Sequence, residues 1–282
     1  MEMKEFRIDG PILKDGIPIP IAINALSNFQ SIVDKSYLVL FDKGKMSATE
    51  RKKFYLKASE FRKGSFLTYF EIALHGVQLG LPLVSSLGPQ NIWDLTKDSF
   101  SFLKTVCAAT KTGDQPTYNF ENNEKVEVKI GDEKHIYNAP VIQIAKLSLP
   151  NYQELSHMLG TKKLTEISAG SINDDNFDIF LSGVDREIFD IPTKISQEST
   201  SIRGEVFDFN KYKNMGKISV KDSGQGVPPG EYNFSVLGEQ DNVEYIYSLL
   251  KPVVVLNCLI EEQPSPFGGK SIHKLHITGV NS

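Results

Sequence analysis

The sequence predicts an α+β protein: an N-terminal mixed α/β unit built on antiparallel sheet, and a C-terminal OB-like five-stranded β-barrel. Three observations carry this expectation. Apolar residues at Ala22, Leu26, Phe29, Val33, Tyr37 and Leu40 recur every three or four positions, which is one face of a helix. Phe66, Phe70, Ile72 and Leu74 alternate with Ser65, Tyr69 and Glu71, the period-two pattern of a half-buried antiparallel strand. The last 84 residues hold five strand-like runs with one helical run between the third and fourth, which is the element order of an OB-fold.

Taken in order, "KEFRID" reads as a short strand stopped by Gly10-Pro11, and the helix follows a turn punctuated by Pro18 and Pro20. "KKFYLKASE" and "GSFLTYFEIAL" read as a hairpin. Gly64 is its turn residue, expected at positive φ because glycine alone adopts that conformation without strain. A second helix from about Gln90 to Ala109 has Pro89 at its first position and buries Ile92, Leu95, Phe102, Leu103 and Val106.

Residues 114–198 form an acidic connecting region: a hairpin, a short helix near 139–159 and a strand pair across "LTEISAGSINDDNFDIFLSG". The barrel domain, 199–282, runs through "TSIRGEVFDF", "GKISVKD", "GEYNFSVLG", a helical "QDNVEYIYSLLK", "PVVVLNCLIE" and "SIHKLHITGV". The N-terminal domain is 1–113.

Bulk properties narrow the function classes. A 282-residue chain can bury about three quarters of its unfolded surface, and 40% hydrophobic with 23% charged residues is an ordinary globular composition. The first ten residues lack the apolar core of a signal peptide. No apolar run approaches the roughly 20 residues of a membrane-spanning helix, so a cytoplasmic protein with no membrane partner is expected. Cys107 and Cys258 lie far apart among apolar neighbours and read as reduced core residues.

The net charge of −4 is unevenly spread: +4 over 1–113, −7 over 114–198 and −1 over 199–282. The basic surplus concentrates in residues 42–64, which carry eight Lys/Arg against three Asp/Glu.

Few motifs carry chemistry. "SGQGVPPG", residues 223–230, has prolines where a dinucleotide fingerprint needs helix, and a strand follows, so it reads as a turn. An EF-hand loop beginning at Asp174 would need Gly at its sixth position and Glu at its twelfth, but Ile179 and Asp185 stand there. A divalent metal on Asp174, Asp175 and Asp178 stays open beside a solvated loop, and with it a metal-dependent enzyme. The pair in "HKLH", His273 and His276, falls on opposite faces of a strand, which disfavours zinc. No nucleophile elbow, zincin motif or phosphate loop is present, so catalysis is less expected than binding, and no cofactor is expected.

The basic segment is the leading candidate partner surface. Lys43, Lys45, Arg51, Lys52, Lys53, Lys57, Arg62 and Lys63 can contact phosphates or an acidic protein, with Phe54, Tyr55, Phe61 and Phe66 interleaved as stacking groups. The bland alternative is an exposed hairpin with its aromatics in the core. The barrel loops offer Lys211, Tyr212 and Lys213 in "NKYKNMG" and Phe267 in "EQPSPFGG", where OB-folds bind their ligands.

The "FRIDG" strand, the long helix, "FRKGSFLTYFEI" and a barrel opening with "IRGEV" and continuing "PVVVLNCLIE" resemble a loose group of uncharacterised prokaryotic proteins of unknown function, over most of the chain. The resemblance implies service in defence or mobile-element modules, and no activity, cofactor or catalytic residue. The expected function is therefore a non-enzymatic binding or scaffold subunit of a multi-component prokaryotic system. A protein partner or self-association is the first expectation, and single-stranded nucleic acid the second.

Overall fold

A computed structural model describes residues 3–62, 66–75, 88–121, 125–161, 163–172, 176–223, 226–238 and 242–281. They fall into two units, Met1–Asp190 and Ile191–Ser282. The first contains β1 (Lys4–Asp9), α1 (Ile19–Leu40), α2 (Ala48–Lys53), β2 (Phe54–Arg62), β3 (Phe66–Leu74) and α3 (Pro89–Thr112), then β4 (Thr117–Glu121), β5 (Lys125–Ile130), β6 (Glu133–Asn138), α4 (Ala139–His157), β7 (Glu166–Ser171) and β8 (Ile179–Ser182).

The sheet of this unit has the order β2-β3-β1-β7-β8, antiparallel throughout. The alternation read at 66–74 is realised at the centre of the strand, where Thr68, Phe70 and Ile72 are buried and Tyr69 and Glu71 half-exposed; at its ends Phe66 and Leu74 are only half-buried, and Ala73 is buried instead. Helices α1, α3 and α4 pack on one another, and α1 and α3 also on the sheet. They close over an aromatic core in which Phe6 stacks on Phe29 at 4.5 Å, with Phe70 and Trp93 against the Phe29 ring. Pro89 opens α3, and Gly113, at φ 103°, ends it in the left-handed region where a side chain would be strained.

Residues 114–190 behave differently from a connecting region. Strand β7 pairs along the whole of β1, from Lys4↔Ser171 to Asp9↔Glu166. Helix α4 buries Val141, Ile144, Ala145 and Leu155 against α1 and α3. The polar stretch before α4 is a three-stranded sheet, β4-β5-β6, whose Val126 and Val128 are fully buried and whose Tyr137 meets Phe102 of α3 at 4.7 Å. The pairing of residues 157 to 167 positions apart makes these elements part of the first unit. Gly64 and Lys63 lie outside the described residues.

The second unit contains β9 (Lys194–Ile195), β10 (Thr200–Asn210), β11 (Met215–Ser223), β12 (Gly230–Val236), α5 (Asn242–Ser248), β13 (Val254–Pro264) and β14 (Lys270–Asn281). Its order is β10-β11-β12-β14-β13, closed by pairing of β10 with β13. Only β12 and β14 run parallel, and β9 is a two-residue addition outside β13. This is the expected OB-like five-stranded barrel, with the helix between its third and fourth strands. Ile202, Val206, Ile218, Phe234, Leu256 and Leu275 fill it. Closure removes the edges that an open sheet of this size would expose. Cys107 and Cys258 are free and fully buried, and burial pushes their thiols up to about 12 and about 11.

Candidate functional site

The basic segment begins on α2. Ser47 caps this helix, its Oγ accepting from the Glu50 amide at 3.1 Å, and the cap aims Arg51 back toward α1. There the Arg51 guanidinium grips the buried Asp34 carboxylate with both terminal nitrogens, one at 2.8 Å. Glu50 reaches the same helix one turn further on and accepts from the Tyr37 hydroxyl. That bond, ahead of the nearby lysines, holds the Glu50 carboxyl below its ordinary range; burial, and then the same bond, raises the Tyr37 phenol. Lys53 lies 3.7 Å from Glu50, and Lys57 pairs with Glu71 at 3.2 Å across the β2–β3 register.

Three of the eight expected contact cations are thus matched to carboxylates. Lys43, Lys45 and Lys52 are exposed and have no salt bridge among the described residues. Arg62 pairs through its backbone with Leu67, and its side chain, like Phe61 and Lys63, is outside the described residues. The interleaved aromatics divide as well. Phe54 is fully buried, stacked on Tyr37 at 4.3 Å, whereas Tyr55 stays on the surface with its hydroxyl 3.3 Å from His75 Nε2.

On the barrel, the turn between β10 and β11 is tied by Asn210, whose Oδ1 accepts from the amides of Tyr212 and Lys213. This projects Tyr212 outward, 87% exposed, with Lys211 Nζ 5.1 Å from its ring centre. Phe267, in the turn between β13 and β14, is half-buried and offers less of its ring.

Half-buried Asp178 accepts from the buried Trp93 indole at 2.7 Å, which occupies its carboxylate. Asp174 and Asp175 are outside the described residues. Among the described residues no group of three His, Cys, Asp or Glu side chains could hold a metal ion.

The structure also assembles features that the sequence reading did not single out. Register places Ser235 of β12 beside His276 of β14, and their side chains meet at 2.9 Å through Nδ1. His276 Nε2 lies 2.8 Å from Glu261 of β13, and Glu261 accepts in turn from Thr193. Together with the Ser196 amide bonded to the Ile260 carbonyl, this chain of groups fastens residues 193–196 to the barrel wall. In the first unit, a cleft of about 380 Å³ beside α1 brings Glu154, His157 and Lys163 over a floor that includes Ile21 and Leu164, with His157 held 2.8 Å from Asp190.

The most informative surface is on α5. Tyr245 and Ser248 point inward, Tyr245 packing against Phe209 and Phe234 to close one end of the barrel. The opposite side carries Val243, Ile246, Tyr247 and Leu250, which are 48%, 41%, 60% and 79% exposed. Hydrogen bonds from the amides of Leu249, Leu250 and Lys251 to Ile246, Tyr247 and Ser248 continue the turn past the helix end. The stretch "QDNVEYIYSLLK" is helical as expected, and its side bearing Val243, Ile246 and Tyr247 faces solvent.

No protein-family model, curated protein or solved structure matches the chain. No helix among the described residues is long and apolar enough to cross a membrane.

Proposed function

We propose that this chain is a binding subunit, an accessory or scaffold component of a multi-component prokaryotic assembly that acts through protein–protein contacts rather than catalysis. The observation that carries the reading is the outward apolar side of α5. Val243, Ile246 and Tyr247 on this short helix and Leu250 in the turn after it cost free energy while they face water and release it when buried against another apolar surface. The pairing of Arg51, Lys53 and Lys57 with their own acids supports the same reading, because it leaves fewer cations for phosphate. Lysine-directed crosslinking with mass spectrometry in native cell extract tests it. Lys251, beside the apolar stripe, is expected to give interchain crosslinks that Leu250→Asp abolishes. Interchain crosslinks absent from Lys251 would overturn the assignment.

A second reading, single-stranded nucleic acid binding, is favoured by Tyr212, an exposed ring flanked by Lys211 and Lys213 and suited to stacking on a base. Retention on single-stranded DNA or RNA should then fall with salt, and should weaken on Tyr212→Ala and on charge reversal of Lys52, Lys53, Arg62 and Lys63. An affinity unchanged by both variants would remove this reading.

A further inference from the structure

We propose that the α5 surface receives a second copy of the same chain, in an antiparallel pairing of two α5 segments about a two-fold axis near Tyr247. The inference rests on the reading of α5 as a contact surface and specifies its occupant. Within α5, about 100° per residue sets Val243, Ile246 and Tyr247 on one side, and the tighter i to i+3 turns that follow carry Leu250 onto the same stripe and Lys251 round to the side of Glu244. Glu244 and Lys251 are seven apart and lie along one border of that stripe. Both are exposed, and neither has a salt bridge among the described residues.

This arrangement is complementary to itself. Antiparallel pairing brings Val243 of one copy to Leu250 of the other, Ile246 to Tyr247, and Glu244 to Lys251, with each contact repeated by the symmetry as an isologous interface requires. Parallel pairing about an axis along the helices would put the two charged borders on opposite sides of the contact and leave Glu244 and Lys251 without each other as partners. The apolar stripe is short beside standard interfaces of about 800 Å² per partner, so the association should be reversible and concentration-dependent.

Sedimentation velocity of the purified full chain over a concentration series tests the inference. The wild type should move from 31.5 kDa toward twice that mass as concentration rises. Leu250→Asp should stay monomeric. Glu244→Lys and Lys251→Glu should each weaken dimerisation by about tenfold, and the Glu244→Lys/Lys251→Glu double variant should recover it, since the charges then meet in exchanged positions. Far-ultraviolet circular dichroism of each variant checks that the fold is kept, as expected for exposed positions.

A wild type that stays monomeric at every concentration, or a dimer indifferent to all four variants, overturns the proposal. If the wild type is monomeric and Lys251 nevertheless crosslinks to a different protein, only the second-copy assignment fails. If those crosslinks are missing too, the contact reading of α5 fails with it.

Discussion

Gln30 Oε1 accepts the amide proton of Leu56 at 3.0 Å, so a side chain of α1 occupies a hydrogen-bonding position on the edge strand β2. Its Nε2 donates to Asp34 at 2.7 Å, which joins the edge cap to the Asp34–Arg51 pair. One turn of chain earlier the Phe54 amide is bonded to the Glu50 carbonyl at the end of α2. Successive outward amides of β2 are thus closed off within the chain, which blunts an edge that would otherwise recruit another strand.

Gln30→Ala should therefore destabilise the first unit by about 1–3 kcal/mol, because it strands a backbone donor and takes one partner from Asp34. The urea midpoint should drop with the slope unchanged, and the variant should aggregate at lower concentration than wild type. An unchanged midpoint would mean that water replaces the glutamine without cost.

Gly216→Ala should damage the barrel selectively. A Cβ at Gly216 would sit 2.3 Å from the Asp208 carbonyl oxygen and 2.6 Å from the Phe234 ring, and neither has room to move inside a closed sheet. A loss of about 1–3 kcal/mol is expected. Hydrogen exchange should show faster opening of amides in β10 to β14 while β1, β3 and β7 keep their protection. Equal loss in both sets would show that the two units unfold as one.

Tyr152→Phe should leave stability unchanged or raise it by up to about 1 kcal/mol. The Tyr152 ring is fully buried between Phe100 and Phe189, and its hydroxyl has no hydrogen-bond partner among the described residues. Removing an unsatisfied buried hydroxyl recovers its desolvation cost and keeps the ring packing. Thermal unfolding decides this, and a drop of several degrees would reveal a partner for the hydroxyl.

The barrel should lose stability in acid through Glu261. The bond from Thr193, then that from His276, keeps the folded Glu261 carboxyl below its ordinary value of 4.5. A lowered folded value means that the group contributes stability above its unfolded value, and the contribution is lost as pH falls through the folded one. Thr193→Val should raise the folded value and start the acid decline at higher pH. Carboxyl titration by nuclear magnetic resonance, beside urea unfolding at stepped pH, would show both shifts. A Glu261 titration unmoved by Thr193→Val would contradict this account.

Much of the architecture was legible from local pattern. The three-to-four spacing of Phe29, Val33 and Tyr37, the alternation through Phe70 and Ile72, and Pro89 at the head of α3 each express a constraint that neighbouring residues impose on one another. The five barrel strands and their helix followed from the same kind of signal. Residues 114–190 were misleading because composition records what a surface shows to water, whereas the place of β7 beside β1 depends on residues far away in the chain.

By itself the sequence determined the long helices, most strands, the α+β class, the order of barrel elements and the burial of both cysteines, but it missed α2 and read the three strands β4-β5-β6 as a hairpin. Periodicity and apolar content are short-range properties that survive in one dimension. Only the tertiary structure decided that Arg51, Lys53 and Lys57 face carboxylates, that Phe54 lies in the core and that Asp178 holds the Trp93 indole. It also decided that the apolar side of α5 looks outward. A helix pattern states that one side must meet an apolar surface; which surface that is depends on where the rest of the chain has already closed, and here Tyr245 and Ser248 turn inward while the apolar side of α5 stays outside.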